Sequence, residues 1–136
     1  MRFLVLRVGM MAAAMMAAGD AWAQSSPSKP GDLVITEFMS KLTAVADYNG
    51  SWFEIYNGSG VRLSLNGVTF TSPGQSGFTI TGPYFFDAGD YFVLGVSDDT
   101  DELSSQYNGS VPVDYVYDWD TFRMDYTGDT ITVSRP

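Results

Sequence analysis

Between residues 33 and 134 the chain breaks into eight short runs rich in Val, Ile, Thr, Phe and Tyr: "LVITEFM", "SWFEIYN", "VRLSL", "GVTFT", "GFTIT", "DYFVLGV", "VDYVYDW" and "DTITVS". Such side chains suit a pleated, half-buried surface, and no window of useful length carries the 3.6-residue period of a helix. The dividers point the same way. Asn-Gly occurs at Asn49-Gly50, Asn57-Gly58, Asn66-Gly67 and Asn108-Gly109, a dipeptide that supplies the positive φ angles of tight hairpins. Turns recur at roughly the 8–12-residue spacing of a sandwich or barrel. The sequence therefore predicts an all-β domain of two packed antiparallel sheets.

The first 23 residues stand apart from this pattern. Arg2 and Arg7 give a positive start, the stretch from Val8 to Ala18 is almost wholly apolar, and Ala21-Trp22-Ala23 is a small-x-small cleavage sequence. This is the signature of a secretory signal peptide, and the apolar run is too short for a spanning helix. Residues 24–32, "QSSPSKPGD", have little to bury and are expected to form a linker. Residues 33–136 are expected to form the domain. An exported protein held in the cell envelope or released from it, with no membrane span after cleavage, is the localisation implied.

Charge and composition exclude several classes of function. The whole chain carries a formal charge of −9; cleavage after Ala23 takes away two of seven basic and one of sixteen acidic residues, leaving −10. Nucleic-acid affinity rests on Lys and Arg displacing counterions, so a nucleic-acid partner is not expected, and there is no basic cluster for anionic lipid. The sequence has no Cys and no His. Nucleophilic triads and the common zinc sites are thereby absent, as is any disulfide, so packing alone must hold the domain.

Two groups of acids invite a functional reading. The connection "SDDTDELSSQYNGSV" gathers Asp98, Asp99, Asp101 and Glu102, and calcium takes several oxygens from a flexible loop of this kind. The spacing is not that of an EF-hand loop, so a solvated acidic loop is favoured and calcium stays as a candidate cofactor. The second group is Glu37 and Glu54, the acids most enclosed by apolar neighbours. If their strands pair, the carboxylates come close together, as carboxylate-pair hydrolysis requires. The strand period of two favours a simpler reading: Phe53 and Ile55 enter the core while Trp52, Glu54 and Tyr56 form the opposite face, a wet surface or a shallow binding platform with Glu37 beside it. The three Asn-x-Ser sequons, at Asn49, Asn57 and Asn108, coincide with Asn-Gly turns, and turn chemistry already accounts for them.

Six segments in order, "LVITEFM", "GSWFEIYNGSG", "LSLNGVTF", "GFTI", "AGDYFVLG" and "YTGDTITVS", resemble the lamin tail domains of bacterial secreted proteins. The resemblance spans nearly all of residues 32–135. It implies an immunoglobulin-like β-sandwich, places Glu37 and Glu54 at recurrent but non-catalytic positions, and implies a module for attachment to, or interaction with, a protein or cell-envelope partner. Ser51 departs from the pattern, which often has an acid there. So does the end of the chain: the family usually continues through a further turn and strand, whereas this sequence stops at Pro136. Either the sequence is a fragment or the sandwich lacks its last strand; in the second case "DTITVS" would leave unpaired backbone groups along an edge open to strand association. The expectation is an exported, non-catalytic interaction or anchoring module. The alternatives are a carbohydrate- or calcium-binding β-sandwich, with Trp52 and Tyr56 stacking on sugar, and a small hydrolase using Glu37 and Glu54.

Overall fold

The computed structural model describes residues 25–41, 46–98, 111–125 and 127–135. Its elements are β1 (Leu33–Met39), α1 (Asp47–Gly50), β2 (Trp52–Asn57), β3 (Leu63–Ser64), β4 (Thr69–Thr71), β5 (Phe78–Thr79), β6 (Phe85–Phe86), β7 (Tyr91–Gly95), β8 (Tyr115–Val116) and β9 (Thr132–Ser134). The strands form a four-stranded sheet in the order β1-β2-β7-β8, a three-stranded sheet in the order β5-β4-β9 and a small β3-β6 pair. This is an all-β sandwich. All eight predicted runs contain a strand. The ninth, β6, comes from Phe85-Phe86, two residues between turns and too short to show a period of two. One pairing differs from the antiparallel expectation: β8 runs parallel to β7. Asp114 makes that docking work, because its amide donates to the Val93 carbonyl and its carboxylate accepts the Val93 amide, both at 2.8 Å.

The core lies between the four-stranded sheet and the other strands. Alternation in β2 sends Phe53 and Ile55 inward, both fully buried. Phe53 meets Phe70 of β4 edge-on, with ring centroids 5.3 Å apart, and Phe122 at 5.8 Å. Leu63, Leu65, Val68, Ile80 and Leu94 fill the space around these rings. Phe78 stacks on Tyr117 at 4.8 Å and on Tyr115 at 5.9 Å. Aromatic pairs of this geometry each contribute about 0.5–1.5 kcal/mol beyond their area burial, which suits a domain with no cross-link.

The Asn-Gly dipeptides behave differently from the hairpin expectation. No residue other than Gly has positive φ among the described residues, so none of the three described sites is the turn type that needs positive φ at both positions. Asn49-Gly50 belongs to the single turn of α1. Asn66-Gly67 does form a tight turn, closed by the Val68 amide on the Leu65 carbonyl, with positive φ at Gly67 alone. Asn108-Gly109 lies outside the described residues.

Asn57 is the largest departure. It ends β2 and is 1 % exposed. Its side-chain amide donates to the carbonyls of Val61 (2.8 Å), Phe86 (3.1 Å) and Asp87 (3.0 Å), while Oδ1 accepts from the Ser59 amide (3.0 Å) and hydroxyl (2.7 Å). One side chain thus ties the end of β2 to the chain leaving it and to the turn after β6. A buried amide is tolerated only when so satisfied.

Residues 25–32 do not form the linker expected from their composition. Ser25 bridges to Leu63. Asp32 is 2 % exposed, and one of its oxygens accepts from the Ser28 amide (2.6 Å), the Lys29 amide (3.0 Å) and the Ser28 hydroxyl (3.2 Å). Those bonds, the Ser28 amide foremost, hold its carboxyl below the usual carboxylate range against the opposing effect of burial. The Gly58 amide then donates to the Asp32 carbonyl. Composition hid this because the anchor is a self-closed turn around one carboxylate, not an apolar run.

Candidate functional site

The structure brings Glu37 and Glu54 together. In the β1–β2 ladder they are directly opposite, flanked by the pairs Ile35–Ile55 and Phe38–Phe53. A bulge between Ile35 and Glu37 leaves Thr36 as the extra residue, so Thr36 and Glu37 both oppose Glu54. The Thr36 hydroxyl donates to Glu54 Oε1 at 2.7 Å. Both acids belong to the outer face of the four-stranded sheet, where Glu37 is exposed and Glu54 half-buried. They stand on the outer sheet face, away from the depressions beside β1, β9 and α1. The bulge is what re-aims Thr36, and nothing in the seven-residue run "LVITEFM" announces it.

Trp52 corrects the platform reading. It shares the face of Glu54 and Tyr56 as alternation requires, yet it is only 4 % exposed. It packs with Val93, and Met39, Val111 and Val113 close over the pair. The segment entering β8 therefore roofs one end of the outer face. A stacking surface made of Trp52 and Tyr56 does not exist; the roof comes from residues about 60 positions away in sequence, beyond reach of a local pattern.

Tyr56 has another partner. The register places Val34, Tyr56 and Tyr91 in one row across β1, β2 and β7. The Tyr56 and Tyr91 rings lie 5.1 Å apart at 48°, and Tyr91 is 57 % exposed and Val34 40 %. Val34 and Tyr91 are the outer-face residues that the sequence reading missed. Their signal was present as outward positions of "LVITEFM" and "DYFVLGV", but which outward positions stay open depends on the roof. In the acidic loop, Asp98 is exposed at the end of the strand region; Asp99, Asp101 and Glu102 lie outside the described residues. No group of three acids able to hold a metal occurs among the described residues.

A second acidic pair sits beside β9. The Asp129 carboxylate accepts from the Ser72 hydroxyl at 2.7 Å, the Asp125 amide at 2.9 Å and the Thr130 amide at 2.6 Å. Burial opposes its ionisation, but these donors prevail and hold it below the usual range. Asp125 is held down in the same sense, by the Thr127 amide and then the Thr127 hydroxyl. Both act as fixed anionic turns.

Fold and surface thus define a β-sandwich with an open, mixed polar and aromatic sheet face. Comparison of the chain with protein-family models, with curated proteins and with solved structures finds no match.

Proposed function

We propose that this chain is an exported, non-catalytic interaction or anchoring module of the lamin-tail type, with an immunoglobulin-like sandwich. One observation carries the reading: the residues of "SWFEIYN" are consumed in building the sheet. Trp52 lies under its roof, Phe53 and Ile55 fill the core, and Asn57 ties down the strand end. Glu54 is left half-buried on the outer sheet face opposite Glu37, and among the described residues the depressions beside β1, β9 and α1, where a scissile bond would be enclosed, are lined by other side chains. A surface of this kind suits a partner protein or an envelope component better than a reaction.

The reading is tested by expressing the full chain in a bacterial host. Processing after Ala23 and retention of the mature protein in the envelope fraction are expected. Hydrolysis of any substrate in a broad panel, abolished by Glu54→Gln with the fold intact, would replace it with the carboxylate-hydrolase alternative. Calcium at the loop carrying Asp98 remains the second proposal, and a melting temperature lowered by chelator would establish it, since an ion bound only to the native state raises stability.

A further inference from the structure

We infer that the open seam between β1 and β9 is a docking groove for one extended strand of a partner protein, alternately apolar and polar, anionic at its N-terminal end and cationic at its C-terminal end. The inference deepens the interaction-module reading and rests on it.

Both lips of the seam are sheet edges: among the described residues β1 pairs only with β2, and β9 only with β4. In an antiparallel ladder the amide and carbonyl of one residue point to the same neighbour, and those of the next residue to the other side. The Ile80 amide donates to the Val68 carbonyl, so Val68 and Phe70 face β5 while Thr69 and Thr71 face β9. Their partners Ser134 and Thr132 face back, which leaves the Val133 amide and carbonyl directed into the seam. On the other lip the Gly58 amide donates to the Asp32 carbonyl. Counting from there, the backbone groups of Leu33 and Ile35 also point away from β2.

The floor between the lips is apolar. Leu33, Ile35, Ile131 and Val133 pack against the core but are only partly buried, and Phe38, 61 % exposed, lines the same depression as Ile131. Val133 and Leu33 line a second depression further along. The seven residues of β1 span about 23 Å at ~3.3 Å each, room for a six- or seven-residue strand. Its side chains would alternate between this floor and solvent.

For a strand added antiparallel to β9, charge sets the two ends. Lys29 and Arg135 line the depression at the C-terminal end of β9, while Asp125 and Asp129 line the one at its start. A strand antiparallel to β9 begins beside the two cations and ends beside the two acids. A second copy of the chain is disfavoured as occupant. Each mature copy carries −10, which opposes self-association, and the Arg135 guanidinium, donating to the Ser28 carbonyl, brings the N-terminal segment alongside β9 as a wall. A single strand fits beside such a wall more readily than a folded domain.

The test uses the mature protein and two capped heptapeptides, Glu-Val-Thr-Val-Thr-Val-Lys and its charge-reversed form Lys-Val-Thr-Val-Thr-Val-Glu. The first is expected to bind at least about tenfold more tightly and to slow exchange of the Val133 amide. Val133→Pro removes an outward-facing donor from an edge strand, where Pro is tolerated, and is expected to abolish binding with the melting temperature little changed. Should that variant not fold, Ile131→Lys, which puts a charge on the apolar floor, serves in its place. Equal affinity for both peptides, or binding by neither, would overturn the inference. So would a dimer by light scattering whose Val133 amide is already protected, since the occupant is then a second copy. If peptide binding fails while envelope retention persists, the groove is wrong and the module reading stands; loss of retention as well removes both.

Discussion

Asn57 offers the most stringent test of how this sandwich is held together. Replacing it with Ala leaves the carbonyls of Val61, Phe86 and Asp87 without their donor. The Phe86 carbonyl is in a buried bond and the other two are partly buried, so water can reach the latter pair. At about 2 kcal/mol for the buried orphan and about 0.5 kcal/mol for each of the others, the loss is about 3 kcal/mol. In a domain of this size that corresponds to a fall in melting temperature of roughly 15 °C. Asn57→Asp is the sharper perturbation. It keeps the acceptor for Ser59 but turns a carboxylate oxygen toward three carbonyls, which raises the folded-state pKa of the new acid above its unfolded value. The penalty is then fully present above the folded pKa and disappears as pH falls to the unfolded value of ~3.9. Expected by chemical denaturation is a deficit of about 4 kcal/mol relative to the parent at pH 7, shrinking by about 1.4 kcal/mol per pH unit once the folded pKa is passed. A deficit under ~1 kcal/mol at pH 7, or one that does not shrink between pH 7 and 4.5, would refute the claim that this amide organises the end of β2.

Other outcomes follow from the same structure. Gly58→Ala would place a Cβ 2.5 Å from the Gly31 carbonyl oxygen, so residues 28–32 should lift from the domain, with about 1–3 kcal/mol lost and faster exchange of the Ser28 and Lys29 amides. Trp52→Ala should cost about 3–5 kcal/mol as a core truncation, measured by thermal melting; an unchanged melting temperature would restore the surface-platform reading. Asp32, Asp125 and Asp129 all have lowered folded-state pKa values, so their contribution is present above pH ~4 and is lost as pH falls through those values. Acid titration of the melting temperature should therefore show a decline below pH ~4, and Asp32→Asn should be less stable at neutral pH with a shallower acid decline.

The strands were legible because their information is local. "LVITEFM" coincides with β1 residue for residue, and the alternation of "SWFEIYN" assigns Phe53 and Ile55 to the core and Glu54 to the outer face. What escaped depends on distant parts of the chain. The burial of Trp52 is decided by Val111 and Val113, the role of Asn57 by carbonyls 29 and 30 residues away, and the docking of residues 25–32 by the close approach of Gly58. The candidate acids stand opposite each other in the ladder once their strands pair. Their meeting place, an open sheet face beside a bulge, changes what the meeting signifies.

The bonding of Asn57 also bears on the chemical ageing of the molecule. An Asn followed by Gly deamidates when the glycine nitrogen attacks the side-chain carbonyl carbon and ammonia departs. At Asn57 the side-chain amide is bound to three carbonyls, and the Gly58 nitrogen is engaged by the Asp32 carbonyl at 3.0 Å. Neither partner can turn toward the other without unfolding the end of β2. The Gly67 nitrogen is likewise engaged, by the Ile80 carbonyl at 2.8 Å, so the two sites differ in the side chain: Asn66 is exposed in its turn and its side-chain oxygen accepts from the Gly82 amide. Peptide mapping of stored protein should find deamidation at Asn66 well before Asn57, so the same sequence dipeptide acts as a clock at one site and is silenced at the other.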